Sequence, residues 1–166
     1  MRYLLFILVV FLQLSCQQNN GDFDEVILDN DVINTPFVES LNEAEKTLLS
    51  WYLYAYGNEC KNDSEKIKCK LLKILKIEDE CSPDHLNNLL QWFSKDMMAV
   101  YKLNKCPNMP YKSAIQNTIE KIHLSRKKDT LTISIHVKGL NNSQEKNWDI
   151  EQTDSYLIEK STFIKL

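Results

Sequence analysis

The chain has 166 residues, 43% of them apolar and 26% charged, which suffices for one hydrophobic core and one domain. Lys and Arg number 20 against 23 Asp and Glu, a formal net charge of -3 that argues against a nucleic-acid binder, whose surface carries a strong basic excess. Only three glycines exclude collagen-like sequence and argue against Gly-rich phosphate loops.

The first sixteen residues, MRYLLFILVVFLQLSC, read as an address. Arg2 supplies a short positive n-region, and residues 3–12 are apolar and uncharged. That is the length of a signal h-region and falls short of the about 20 residues that span a hydrocarbon core. The run ends in Leu12-Gln13-Leu14-Ser15-Cys16. It resembles the lipobox of bacterial lipoprotein signals, in which a small residue, here Ser15, precedes the Cys that is lipidated and becomes the mature first residue. Gln13 stands where that pattern usually has Leu. The resemblance implies a signal peptide over 1–15 and fatty acylation of Cys16. It also implies anchoring in the bacterial cell envelope, at the outer membrane, in its periplasmic or surface leaflet. Two or three acyl chains make such an anchor stable. The alternative is an ordinary secretory signal with a chance Cys.

Residues 17–47 carry eight acids and one base, Lys46, and open with Gln17-Gln18-Asn19-Asn20-Gly21. Residues 16–39 therefore read as a solvated, lipid-anchored acidic tether, with Val26-Ile27-Leu28 as a short segment able to dock on the domain. The opening polar and acidic stretch is similar to the export signals that follow the lipid Cys in surface lipoproteins of Bacteroidetes. The remainder, 40–166, is expected to be a single domain.

Within it, Ser40-Leu41-Asn42-Glu43 has capping-box spacing and predicts a helix start. Leu41, Ala44, Leu48, Trp51 and Ala55 keep the 3.6 period, and the second half is apolar or aromatic nearly all round, so the helix is expected to be covered on more than one side. Gly57-Asn58 ends it. Residues 64–76 predict a second, lysine-rich amphipathic helix. Ser82-Pro83-Asp84 predicts the start of a third, running to about Met98 with Leu86, Leu89, Leu90, Phe93 and Met97 on one face. After an irregular stretch over 100–111 the period changes to 2. Strands are expected over 119–126 and 130–138, the latter with Leu131, Ile133, Ile135 and Val137 inward and Thr132, Ser134 and His136 outward. Gly139 to Ser143 reads as a loop. Two last strands, 145–152 and 156–165, are expected to turn at Thr153-Asp154-Ser155. Helices first and strands last give an α+β fold, with N-terminal helices packed on a curved antiparallel sheet.

The helix Leu48-Leu49-Ser50-Trp51-Tyr52-Leu53-Tyr54-Ala55-Tyr56, with Trp148-Asp149-Ile150 and Tyr156-Leu157-Ile158 at the other end, resembles the opening helix and closing strands of small secreted lipoproteins in the NTF2-like superfamily. The resemblance covers residues 40–166. It implies a cone-shaped cavity between the long helix and the sheet, in a superfamily where some members are enzymes.

Five cysteines less Cys16 leave Cys60, Cys69, Cys81 and Cys106, an even number that in an exported domain points to disulfides. Three connectivities are open; the favoured pairs are Cys60–Cys69 and Cys81–Cys106. Spacings of 9, 12 and 25 do not supply the clustered ligands of a zinc site. The three histidines, His85, His123 and His136, form no ligand motif, although His123 and His136 fall on one face if their strands pair. Asp96, near the end of the third helix, is a carboxylate that could face a cone cavity. No catalytic residue, metal or cofactor is expected. Trp51, Tyr54, Trp92 and Trp148 are the residues expected to line a pocket or interface, because Trp and Tyr join a large apolar body to a polar tip. The chain thus reads as a membrane-anchored, non-enzymatic binding module, held by lipidated Cys16, with a protein partner in the envelope and an immunity-type role as its concrete form. Rival readings are a cone-cavity enzyme and an accessory subunit of an envelope machine.

Overall fold

The computed structural model describes residues 21–56, 60, 65–77, 82–93, 114–159 and 162–166. Among these residues ten elements follow in order: β1 (Phe23–Asp29), β2 (Val32–Ile33), α1 (Thr35–Ser40), α2 (Glu43–Tyr56), α3 (Ile67–Ile74), α4 (Pro83–Leu90), β3 (Ile115–Lys127), β4 (Thr130–Asn141), β5 (Lys146–Glu159) and β6 (Thr162–Lys165). The fold is α+β, with the helices preceding most of one six-stranded antiparallel sheet of order β2-β1-β3-β4-β5-β6.

The alternation expected for β4 is what the sheet uses. Leu131, Ile133, Ile135 and Val137 are buried, while Thr132, Ser134 and His136 lie half-exposed on the other face. β3 joins β4 through a tight turn in which Lys128 takes a positive φ of 55°. Its register slips between Ile119 and Lys121, a bulge that seats the extra residue Glu120.

The folded unit starts ahead of the boundary expected at residue 40. Phe23–Asp29 is not tether but strand β1, paired along β3 from Phe23 with Arg126 to Asp29 with Lys121. The reason is a second bulge, between Val26 and Leu28. An extra residue lets two consecutive side chains, Ile27 and Leu28, both be fully buried. Both belong to Val26-Ile27-Leu28, the segment expected to dock on the domain, and the strand extends that segment to Phe23–Asp29. Thr35-Pro36, inside the expected tether, opens α1, with Pro in the first turn where its missing N–H costs nothing.

The capping box also lies two residues later than expected. Ser40 ends α1, its Oγ donating to the Phe37 carbonyl (2.7 Å). Asn42 caps α2: its Oδ1 accepts the Glu45 N–H (3.1 Å), and Glu45 Oε2 accepts the Asn42 N–H (2.8 Å). Glu45 is buried and also binds Arg126 of β3 (3.1 Å), which ties the start of α2 to the sheet. Leu48, Leu49, Trp51, Tyr52, Leu53 and Tyr54 are all buried, so α2 is covered nearly all round. The buried hydroxyls of Thr47 and Ser50 donate back to the carbonyls one turn earlier.

Three further expectations change. β5 runs unbroken through Thr153-Asp154-Ser155, where a turn was expected, because partners described below hold Asp154 inside. Gly139 to Asn141 belongs to β4, and the turn sits at 142–145. α4 ends at Leu90, and Phe93 forms a parallel bridge to Phe163 rather than continuing a helix.

Candidate functional site

Among the described residues, and beyond the cap of α2, polar chemistry comes together at two places. The first is buried between α2 and the inner face of β5. Tyr52 projects from α2 and donates its hydroxyl to Asp154 Oδ2. The same Tyr52 oxygen lies 2.8 Å from the Tyr156 hydroxyl, which then acts as donor. Gln152 Nε2 donates to the same Asp154 oxygen, Tyr56 donates to Gln152 Oε1, and the Lys165 ammonium pairs with Asp154 Oδ1. Each group lies on the inward register of its strand: Tyr156 opposite Leu131, Asp154 opposite Ile133, Gln152 opposite Ile135.

Burial pushes the Tyr52 phenol far above its ordinary value, reinforced by Tyr156 and by the Asp154 carboxylate, so it stays a donor. Burial alone would raise Asp154 too. Hydrogen bonds from Lys165, Tyr52 and Gln152 and the Lys165 charge outweigh it and hold the carboxyl below the usual carboxylate range. The arrangement is an ionised carboxylate with its acceptor positions taken up by three donors. Chemically it is suited to fastening helix to sheet, since its donors come from α2, β5 and β6.

The second place is the outer face of the sheet. His123 pairs with Asp24 across β1 and β3 (2.7 Å). His136 contacts Asp149 through Nε2 and Glu120 through Nδ1 (3.6 Å). Glu120 binds Lys138 at 2.8 Å, and that hydrogen bond with its charge raises the Lys138 ammonium above its ordinary value. Two shallow grooves run here. One, of about 530 Å³, is lined by Thr118, Glu120, Lys138, Asn147, Trp148 and Asp149 among others; the next, of about 360 Å³, by Lys121, His123, Ser134, His136 and Glu151 among others.

His123 and His136 do share a face, but His123 stands opposite Ser134, and each imidazole has its own carboxylate. Among the described residues no group of three His, Cys, Asp or Glu is placed to hold a metal. His85 lies in α4, and Asp96 falls outside the described residues.

The four aromatic residues expected to line a pocket do not converge on one. Trp51 and Tyr54 are buried in the core. Trp51 meets Phe93 (4.6 Å between ring centroids), Phe93 meets Phe163 (5.2 Å), and Trp92 stacks on Phe163 (5.5 Å). Tyr54 carries the Lys68 ammonium over its ring (5.6 Å). Trp148 stands apart. It lies directly opposite Gly139, and its indole N–H donates to Asn117 Oδ1 on β3 (3.0 Å). A Cβ added to Gly139 would come within 2.0 Å of the indole, so the glycine is required by the ring that covers it.

Cys60 and Cys69 form a disulfide, with Cα atoms 5.6 Å apart. It joins the segment after α2 to α3. Cys81, Cys106 and Cys16 lie outside the described residues. The sequence pointed to neither Asp154 nor Lys165. A tyrosine on an apolar helix face, such as Tyr52, was the one available signal that a buried acceptor must exist. No protein-family model, characterised protein or solved structure matches the chain.

Proposed function

We propose that this chain is an exported, lipid-anchored binding module of the bacterial envelope, held at the outer membrane through Cys16 and acting without catalysis on a protein partner. An immunity-type role, neutralising a toxin, is its concrete form, and an NTF2-like cone between α2 and the sheet is the finer reading of its fold. The observation that carries the proposal is the Cys60–Cys69 disulfide. Disulfides persist in oxidising compartments, which is where the apolar run ending in Ser15-Cys16 would send the chain. The outer face of the sheet supports the binding half: it offers open grooves and solvated charge pairs.

The test is metabolic labelling with an alkyne fatty acid, followed by membrane fractionation. Wild type should take up label and sediment with outer membranes. Cys16→Ala should lose the label and either appear in the soluble fraction or remain as uncleaved precursor. Equal labelling of the two proteins would refute the anchor.

A further inference from the structure

The two ends of the sheet are finished differently. At one end, β2 is only two residues long. At the other, β6 covers just the last stretch of β5, pairing Tyr156 to Glu159 with Lys165 to Thr162, and the Leu166 N–H extends that ladder by one bond to the Ser155 carbonyl (2.9 Å). β6 itself is covered by Phe93, and its Phe163 N–H is taken by the Trp92 carbonyl. From Lys146 to Asp154, β5 has β4 on one side and no described strand on the other.

Antiparallel geometry fixes which groups this leaves open. N–H and C=O of one residue point to the same side, and the side alternates along the strand. Since Ser155 directs its carbonyl toward β6, Thr153, Glu151, Asp149 and Asn147 direct their backbone groups toward the open edge. The side chains of those four residues lie on the outer face, opposite Ser134, His136, Lys138 and Leu140. On the inner face the same edge presents half-buried Trp148 and exposed Ile150, the latter 37% exposed despite its size.

We propose that this edge is a docking site for an extended peptide segment of a partner protein, which adds to the sheet as a strand next to β5. This deepens the binding-module reading and rests on it. Main-chain hydrogen bonds would supply affinity, and alternate side chains would supply choice. The edge alternates acid outward (Asp149, Glu151) with apolar inward (Trp148, Ile150). Its complement is a strand alternating Lys or Arg with Val or Ile, because opposite charges across a pair stabilise and like charges oppose. A second copy of this chain is a poor occupant. Two-fold pairing centred on Ile150, which would use the whole edge, sets Asp149 against Glu151 twice. Asp149 keeps His136 as a partner on the β4 side, while its side chain remains 60% exposed toward an incomer.

The experiment uses the full chain in detergent and two labelled synthetic peptides, one alternating lysine with valine and one alternating glutamate with valine. Fluorescence anisotropy should show the lysine peptide binding at least about tenfold more tightly. Glu151→Pro removes an edge N–H at a position where strands tolerate Pro, and should weaken binding at least about tenfold. Should that variant lose its fold by circular dichroism, the surface pair Asp149→Lys and Glu151→Lys decides instead, by inverting the peptide preference. Equal binding of both peptides, or unchanged preference in the charge-reversed protein, would overturn the proposal. So would a wild-type dimer in sedimentation that Glu151→Pro converts to monomer. Detergent-phase peptide binding is independent of acylation, so failure here and failure of the Cys16 labelling test are separately readable.

Discussion

The two faces of the sheet carry similar residue types under opposite conditions. On the inner face Asp154 is 7% exposed and meets Tyr52, Gln152 and Lys165. On the outer face Asp149, 60% exposed, meets His136 in solvent. A carboxylate in water is already hydrogen-bonded, so an outer pair contributes little. A buried one is costly unless every acceptor position finds a donor, so losing one inner partner strands the others. The difference teaches that polar pairs in this protein should be ranked by burial and not by contact distance.

The largest expected effect tests the inner side where it is purely apolar. Trp51→Ala removes a ring that is 2% exposed and packed on Phe93, and should cost about 3–5 kcal/mol in chemical denaturation. A loss below about 1 kcal/mol would take Trp51 out of the core.

Asp154→Asn comes next, at about 2–4 kcal/mol, because Tyr52, Gln152 and Lys165 lose the buried carboxylate charge on which they converge. This site also has a pH signature. The folded-state value of Asp154 lies below the about 3.9 of an unfolded Asp, so the native state binds fewer protons between the two. Its contribution is therefore complete above about pH 5 and is lost as pH falls through the folded-state value. Urea midpoints measured from pH 7 to pH 3 should fall less steeply in Asp154→Asn than in wild type; parallel curves would contradict the assignment.

Gly139→Ala sharpens the comparison at the edge of the covered region. The new methyl displaces the Trp148 indole and breaks its bond to Asn117, and should cost about 1–3 kcal/mol. The red shift of Trp emission should accompany it. His136→Ala, on the outer face, should change stability by less than about 0.5 kcal/mol between pH 5 and 8 in a thermal melt. A loss as large as that of Asp154→Asn would erase the distinction between the faces.

What could be read in the sequence followed from local periodicity. β4 alternates four aliphatic residues with polar ones, and each fell on the expected face. Other features depended on partners far away in the chain. Thr153-Asp154-Ser155 has turn composition, and what holds it as strand is remote in sequence: its pairing with β4 and the Asp154 partners, Tyr52 among them, 102 residues earlier. Ser40 and Asn42 both precede a glutamate by three, and the choice fell to Asn42 because Glu45, not Glu43, is the acid that Arg126 meets. Trp51, Tyr54, Trp92 and Trp148 looked alike as aromatic anchors, yet two are buried in the core, Trp92 packs half-buried against it, and Trp148 covers a glycine. Residue type announced their size, and only the topology distributed them.

Because β1 begins at Phe23, a lipid on Cys16 would leave six residues between anchor and sheet, a leash of at most about 25 Å. Phe23 pairs with Arg126, and Asp22 accepts the Lys128 N–H (2.7 Å), so such a lipid would hold the β3–β4 tip, with Lys127 and Lys128, near the headgroups. From there the twelve residues of β4 climb about 40 Å. The molecule would stand on end, its lysine tip down against the bilayer and its Trp148 end raised well clear of it.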